Sequence, residues 1–241
     1  TKGDVKNTYG TGCFALTNTG DEIIKSENGL LTTIAYQVDG EDPVYALEGS
    51  VPIAGAAVQW LRDNLNIIEK SEDIESLAMQ EKDNGDVYFV PAFSGLFSPH
   101  WDELARGSIF GLTRFSNKSH IARAVLESVA FQTYELLESM QKDLNMEFES
   151  VKVDGGMVNN NLLMQFQSDI LDKTILSQDI NEITSLGAGA ASYIYANGYP
   201  IEKMNDYFSS SKSWSPNVSN DYRNKLLKSW NKAIEKSKNW L

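Results

Sequence analysis

The sequence predicts a single α/β domain built on a mixed β-sheet with helices on both of its faces. Two observations on the order of the predicted elements lead to this fold class. The chain opens with an antiparallel meander of three strands, and it continues with helices and strands in alternation. Alternation is typical of a largely parallel sheet covered by helices, whereas a meander adds antiparallel strands. The length of 241 residues, of which 41% are hydrophobic, is sufficient for one sizeable core.

The opening meander is predicted from runs of β-branched and aromatic residues that glycine turns separate. Residues 6–19 form two strand arms joined at a tight bend, the Gly-Thr-Gly sequence of residues 10–12. The next two strands are predicted at residues 30–38 and 44–49. The Asp-Gly pair at residues 39–40 between them is a strong hairpin signal.

The alternating part is predicted from helical apolar periodicity and from short apolar runs. Apolar residues recur at helical spacing through residues 121–144, which indicates the longest helix. The other helices are predicted at residues 53–65, 72–79, 160–171, 185–196 and 220–238, and the other strands at residues 87–93, 108–112, 148–153 and 174–177. Residues 93–107 and 201–216 are expected to be loops, the latter with a short helix. The glycine- and alanine-rich run 187–191 is expected to pack its helix closely against the sheet. This order of elements suits the ribonuclease H-like fold.

The charge of the chain argues against two classes of partner. Acidic residues number 33 against 21 Lys and Arg, which gives a net charge of −12, and no basic cluster offsets it. Neither nucleic acid nor an anionic membrane is therefore an expected partner. No apolar run approaches the roughly 18 residues that a membrane span requires.

The cysteine and histidine content predicts neither a disulfide nor a metal site. Cys13 is the only cysteine, and we expect it to be a buried, unreactive thiol. Chains without a disulfide are typical of a reducing compartment, so a cytoplasmic location is predicted. His100 and His120 have no cysteine or carboxylate at metal-ligand spacing, so no metal-ligating residue is predicted in this chain.

Three glycine-bearing turns could place backbone N–H groups or small donors against an anionic ligand. The first is residues 10–12, where the Thr11 hydroxyl lies between two glycines and could donate to a terminal phosphate. The second is residues 54–57 at the start of a predicted helix. There Gly55 would let a flat base lie against the backbone, and Gln59, one turn further on, could bond to a ribose or base edge.

The third turn follows the predicted strand that ends at residue 153, the kind of place where α/β folds hold ligands. Gly155 and Gly156 form the turn, and the amide of Asn160 could reach a ligand. Each turn also has a structural interpretation that stays open. The first could be a simple hairpin turn, the second a helix packed closely through small residues, and the third a left-handed turn in which Asn160 caps the helix.

Together these segments resemble the FGGY family of carbohydrate kinases. The family's C-terminal signature, a pair of spaced glycines followed by a long helix, is matched by GSIFGL at residues 107–112 and by HIARAVLE at residues 120–127. Finer features are similar to the members of the family that phosphorylate glycerol. They are NTYGTGCF at residues 7–14, SENGLLTT at 26–33, YALEG at 45–49, QWLRD at 59–63 and QFQSD at 165–169. The resemblance covers residues 6–198.

The resemblance implies that the chain is the ATP-binding half of a kinase, with a ribonuclease H-like fold related to that of actin. With Mg²⁺, such an enzyme transfers the γ-phosphoryl group of ATP to glycerol, giving glycerol 3-phosphate and ADP. The implied nucleotide-binding residues are Thr11, Gly12, Gly55, Gln59, Gly155, Gly156 and Asn160, and the implied contact with the carbon backbone of glycerol is Phe14.

The resemblance also implies a partner domain outside this sequence. In the family, ATP and Mg²⁺ lie between two domains, and the general base is an Asp in a Gly-Asp-Gln segment upstream of the NTYGTG turn. Asp4 lacks that context and is not assigned the role. We therefore expect residues 1–241 to act as a C-terminal domain that is inactive without its N-terminal domain. Another sugar or polyol kinase of the family and a non-catalytic nucleotide-binding module remain alternatives. A homo-oligomer is compatible with the sequence, which does not determine the oligomeric state.

Overall fold

The computed structural model describes residues 1–178, 180, 182–208 and 210–241, and in this part of the chain nine strands and six α-helices are present. The strands are β1 (Val5–Tyr9), β2 (Cys13–Gly20), β3 (Leu31–Tyr36), β4 (Val44–Val51), β5 (Tyr88–Val90), β6 (Ser108–Phe110), β7 (Ser150–Asp154), β8 (Thr174–Gln178) and β9 (Ser210–Trp214). The helices are α1 (Gly55–Asp63), α2 (Asp73–Ala78), α3 (Lys118–Leu144), α4 (Asn161–Leu171), α5 (Ile183–Ala196) and α6 (Asn220–Ser237). Short 3₁₀ helices span Gly156–Asn159 and Ile201–Tyr207. Every predicted helix is thus present, with bounds close to those expected.

The main sheet has seven strands in the order β3-β4-β2-β1-β7-β8-β9. The first four strands along the chain pair in antiparallel fashion, whereas β1 is parallel to β7 and β7 is parallel to β8. The last strand, β9, is antiparallel to β8. The predicted mixed sheet with helices is therefore confirmed, and β1 is the strand at which its antiparallel and parallel halves meet.

Three features of the strands differ from the prediction. The two predicted arms at residues 6–19 are the separate strands β1 and β2, and β2 pairs with β4 instead of with β3, so the first four strands are not a simple meander of three. The strands β5 and β6 pair with each other in a separate two-stranded sheet. Residues 201–216, expected to be loop and short helix, contain β9. Its Ser-Ser-Lys-Ser-Trp sequence has little β propensity, and it pairs because the edge of β8 offers backbone partners.

One face of the main sheet carries the core. Val5, Asn7 and Tyr9 of β1 are buried, while Lys6 and Thr8 between them are only half-buried. This alternation is expected when one face of a strand packs against helices. The helices α3 and α4, which have extensive contacts with each other and with this sheet, lie on the same face as the buried residues.

The long helix α3 begins at a well-formed cap. Asn117 accepts hydrogen bonds from the backbone N–H groups of Ser119 at 2.8 Å and His120 at 3.2 Å. The side chain of His120 reaches back to the backbone of Asn117, which completes a capping box. His120 thus opens the long helix and takes no part in a cluster of metal-ligating side chains among the described residues.

The final helix α6 is anchored in the core by a tryptophan. The ring of Trp230 is fully buried and stacks on Phe131 of α3, with ring centroids 4.9 Å apart and planes within 11° of parallel. Offset aromatic stacking of this kind contributes beyond the burial of area. The last helix is therefore an integral part of the domain.

Helix α5 corrects one prediction. The glycine- and alanine-rich run was expected to pack closely on the sheet, but a Cβ placed on Gly187 or Gly189 would meet no atom of the described residues within 4 Å. The main contacts of α5 are with the 3₁₀ helix Ile201–Tyr207, and Tyr195 is 88% exposed. The expectation of close packing is therefore wrong. None of the described helices combines the length and the apolar character that a membrane span requires.

Candidate functional site

A cavity of about 450 Å³ lies where the parallel strands β1 and β7 end. Open α/β sheets bind ligands in the crevice at the carboxyl ends of their strands. The walls come from the β1–β2 turn, α1, the start of α2, the middle of α3 and the 3₁₀ helix after β7. The lining residues are Tyr9, Gly10, Thr11, Gly55, Val58, Gln59, Ser71, Glu72, Ile74, Glu75, Leu126, Gly156, Met157, Asn159 and Asn160.

The three turns singled out in the sequence meet at this cavity. Thr11, Gly55, Gln59, Gly156 and Asn160 all line it, although they come from three distant parts of the chain. The other two predicted nucleotide contacts, at positions 12 and 155, adjoin lining residues but do not line the cavity themselves. Each of the three turns thus contributes at least one predicted residue to the cavity.

The first turn caps the helix that follows β4. The N–H groups of Ala54 and Ala56 donate to the carbonyl of Thr11 at 2.9 and 3.0 Å, and that of Gly55 donates to the carbonyl of Gly10 at 3.0 Å. These bonds use N–H groups that an anion at the start of α1 would need. The N–H and hydroxyl of Thr11 itself form no hydrogen bond with the described residues. Thr11 is therefore a donor that this turn can present to a ligand.

Two of the glycines serve close packing of the backbone. A Cβ on Gly55 would lie 2.6 Å from the carbonyl oxygen of Gly10, and one on Gly12 would lie 2.5 Å from that of Val51. Such contacts do not occur between real Cβ atoms and backbone. The structural interpretation of small residues at these positions is therefore confirmed, whether or not a ligand also touches them.

The two glycines after β7 have different constraints. Gly155 has a φ of +95°, and a Cβ there would lie 2.3 Å from the carbonyl oxygen of Tyr9. At Gly156 a Cβ would meet nothing within 4 Å, although the residue lines the cavity. Gly155 is thus required by the turn, while Gly156 leaves open space at the cavity wall.

Asn160 is the N-cap of α4. Its Oδ1 accepts a hydrogen bond from the backbone N–H of Leu163 at 2.8 Å, so the predicted capping role is confirmed. Its amide nitrogen forms no hydrogen bond with the described residues, and neither does the side-chain amide of Gln59. Both amides remain able to bond to a ligand in the cavity.

The acidic part of the wall was missed by sequence reasoning. Glu72 and Glu75 are the charged residues among the described lining residues, and neither belongs to a glycine turn. The Oε1 atom of Glu75 accepts a hydrogen bond from the N–H of Leu162 at 2.9 Å, in the first turn of α4. No sequence pattern connects a glutamate in a short helix with a backbone group 87 positions further along the chain.

Phe14 lies away from the cavity. It is opposite Thr8 in the β1–β2 pairing, on the face of the sheet that carries no buried core, and its side chain is 51% exposed. The preceding residue, Cys13, points into the core and is fully buried. The prediction of a buried thiol is therefore confirmed, and burial raises the pKa of Cys13, which disfavours the reactive thiolate.

Comparison with known proteins gives one family, and the relatives named below agree with it. The model of the C-terminal domain of the FGGY family of carbohydrate kinases matches residues 5–193. Glycerol kinase of Brucella anthropi is 54% identical over 241 residues, and the match covers 99% of this chain and 48% of that protein. Glycerol kinase of Clostridium perfringens is 53% identical with the same coverage. The chain therefore spans about half the length of the curated relatives it matches.

Solved structures agree with the sequence comparison. The crystal structure of Plasmodium falciparum glycerol kinase with ADP superimposes with a TM-score of 0.91 at 38% identity, covering 98% of this chain and 47% of that chain. The crystal structure of gluconate kinase from Lactobacillus acidophilus superimposes with a TM-score of 0.78 at 22% identity, and the match covers 98% of this chain and 46% of that chain. This second likeness concerns the fold alone.

Proposed function

We propose that this chain, which belongs to the FGGY family of carbohydrate kinases, is the nucleotide-binding half of a kinase that transfers the γ-phosphoryl group of ATP to glycerol. The observation that carries the proposal is the convergence of residues from three distant turns on one cavity. The similar glycerol kinase of Plasmodium falciparum was crystallised with ADP, which supports an adenine nucleotide as the ligand.

The charges around the cavity support one orientation of the nucleotide. Thr11 offers an N–H and a hydroxyl as free donors at the β1–β2 turn, where we place the terminal phosphate. Glu72 and Glu75 lie on the α2 wall, and their charges would repel phosphate. The nucleoside is therefore placed toward α2, within reach of Gln59 and Asn160.

Mg²⁺ is the metal ion that the proposed transfer from ATP would use. Magnesium binds through one or two carboxylates together with substrate phosphates and water. Among the described residues no group of three or more His, Cys, Asp or Glu side chains is arranged to hold a metal. We propose that Mg²⁺ is bound mainly by the phosphates of ATP.

Phosphoryl transfer depends mainly on positioning the reactants and on stabilising charge. We place the general base, an Asp by family resemblance, on an N-terminal domain of the same polypeptide. The exposed ring of Phe14 then packs against the carbons of glycerol when the two domains close and exclude water. A cytoplasmic location is part of this proposal, since ATP is the substrate.

The proposal is tested by measuring ADP release with saturating MgATP. The complete polypeptide that carries this domain is expected to release ADP in the presence of glycerol, and much less with xylulose, ribulose, gluconate or water. The 241-residue chain alone is expected to bind ADP weakly and to show no turnover. Release with another polyol would replace the substrate, and turnover by the isolated chain would contradict the two-domain mechanism.

A further inference from the structure

Glu75 connects two walls of the cavity. It lies in the middle of α2 and is half-buried, and its Oε1 atom accepts the N–H of Leu162 at 2.9 Å in the first turn of α4. Its second carboxylate oxygen accepts no hydrogen bond from the described residues, although Glu75 lines the cavity. One oxygen is thus used by the protein, and the other is left for a ligand.

The start of α4 is already provided with acceptors. The N–H of Leu163 is bonded to Asn160 and that of Leu162 to the carboxylate of Glu75, so the helix dipole there is met by a negative charge of the protein itself. A phosphate that bound these N–H groups would have to displace the carboxylate of Glu75, and it would lie close to the negative charge of that carboxylate. This end of the cavity is therefore suited to a ligand group that donates hydrogen bonds.

We infer that Glu75 is a positioning and specificity residue of the nucleotide site. One carboxylate oxygen holds the start of α4 against α2, which positions Asn160, and the other accepts a hydrogen bond from the nucleoside. A carboxylate accepts hydrogen bonds, and the groups of an adenine nucleoside that can donate one are the exocyclic amine and the ribose hydroxyls. The second half of this inference rests on the proposed function, because it takes the ligand to be an adenine nucleotide.

Glu72 provides a matched control three positions earlier. It has the same charge and lines the same cavity, but its side chain is exposed and forms no hydrogen bond with the described residues. Neutralising Glu72 removes the same charge from the wall without touching the connection between α2 and α4. Any general effect of charge on nucleotide affinity is therefore separated from the specific effect of Glu75.

The experiment compares Glu75→Gln, Glu75→Ala and Glu72→Gln with the unmodified 241-residue chain and with the complete kinase. Titration calorimetry gives the Kd for ADP, inosine diphosphate, 2′-deoxy-ADP and 3′-deoxy-ADP. Hydrogen exchange followed by NMR gives the protection of the Leu162 amide, and thermal unfolding shows that each variant is folded.

In Glu75→Gln the amide oxygen can still accept from Leu162, so protection of that amide is retained while a donor replaces the free acceptor. We expect the affinity for ADP to fall between tenfold and a hundredfold, as for other hydrogen bonds to charged groups. In the complete kinase the KM for ATP rises correspondingly, with kcat within about twofold. Glu75→Ala additionally loses the protection of Leu162, whereas Glu72→Gln keeps that protection and reports only the effect of removing one charge from the cavity wall.

The analogues identify the donor and decide the inference. In the unmodified chain, weaker binding of inosine diphosphate identifies the amine, and weaker binding of a deoxy analogue identifies a hydroxyl; Glu75→Gln should abolish that preference. Equal binding of all four nucleotides, or an unchanged preference in Glu75→Gln, overturns the acceptor role. Persistent protection of Leu162 in Glu75→Ala overturns the positioning role. Absence of ADP binding by the unmodified protein overturns the proposed function and the acceptor role, while the exchange of Leu162 still decides the positioning role.

Discussion

At the scale of single residues, neighbouring glycines can have unrelated reasons to be glycine. Gly155 combines a positive φ with the close approach of the Tyr9 carbonyl, so any side chain there would be strained and would collide with backbone. Gly156 has open space around its Cα and lines the cavity. The first glycine is explained by the turn, while the second has no such constraint among the described residues and agrees with the proposed approach of a nucleotide from the cavity.

Alanine substitutions at the two positions should therefore behave differently. Gly155→Ala is expected to lower the free energy of unfolding by about 1–3 kcal/mol or more, because it combines backbone strain with overlap. Gly156→Ala is expected to change it by less than about 0.5 kcal/mol and to weaken ADP binding. Urea unfolding and titration calorimetry measure the two effects. Equal losses of stability at both positions would contradict this account.

At the scale of elements, α4 shows how one residue can serve a helix and a ligand at once. The Oδ1 of Asn160 caps the helix, and its amide nitrogen is left without a protein partner among the described residues. The structure thus places the cap and the cavity side by side. The structural and functional interpretations of Asn160 are compatible, because each uses a different atom.

Substitutions at Asn160 can separate the two roles. Aspartate is also a good N-cap, so Asn160→Asp should keep the free energy of unfolding within about 0.5 kcal/mol, whereas Asn160→Ala should lose about 1 kcal/mol. Both should weaken ADP binding, since the donor is lost in each. Asn117→Ala, which removes the cap of α3 away from the cavity, serves as the control and should cost similar stability without changing affinity. Unchanged ADP affinity in Asn160→Asp would remove Asn160 from the nucleotide site.

At the scale of the whole molecule, a buried carboxylate links stability to pH. Glu127 of α3 is almost fully buried, 2.9 Å from Nε of Arg123, and it accepts from the amide of Asn84 at 2.8 Å. Arg123 also donates to the carbonyl of Glu81 at 3.0 Å, so the network holds the segment after α2 against α3. Burial raises the pKa of Glu127 to about 7, against the opposing effect of Arg123.

A raised pKa in the folded state means that folding favours the protonated form. Glu127 therefore makes its full contribution to stability when the pH is below the ordinary pKa of 4.5. That contribution is lost as the pH rises through the pKa of the folded state, about 7. The stability of the unmodified chain relative to Glu127→Gln should fall by up to about 3 kcal/mol between pH 4.5 and 8. Urea unfolding at several pH values measures this difference, with the exposed Glu149→Gln as control. A difference that stays constant or grows with pH would contradict the sign.

Much of the fold could be predicted because its signals are local. Helix α3 follows from apolar spacing over residues 121–144, and the β1–β2 hairpin follows from the glycines of its turn. Strand β9 could not be predicted, since it depends on the free edge of β8. The expectation for α5 was wrong for a similar reason. A run of glycine and alanine permits close packing, but whether another element lies against it depends on distant parts of the chain.

The sequence by itself determined which residue types stand at each turn, and hence that Thr11, Gly55 and Gly156 could serve a phosphate-bearing ligand. Only the tertiary structure decided that these turns share one cavity. It also decided that the N–H groups at the start of α1 are bonded to the carbonyls of Gly10 and Thr11 and are therefore not available to an anion. It also decided that Glu75 provides the negative charge at the start of α4. The physical reason is that backbone conformation depends on neighbours in sequence, whereas the partner of a hydrogen bond depends on which distant segments the packed core brings together.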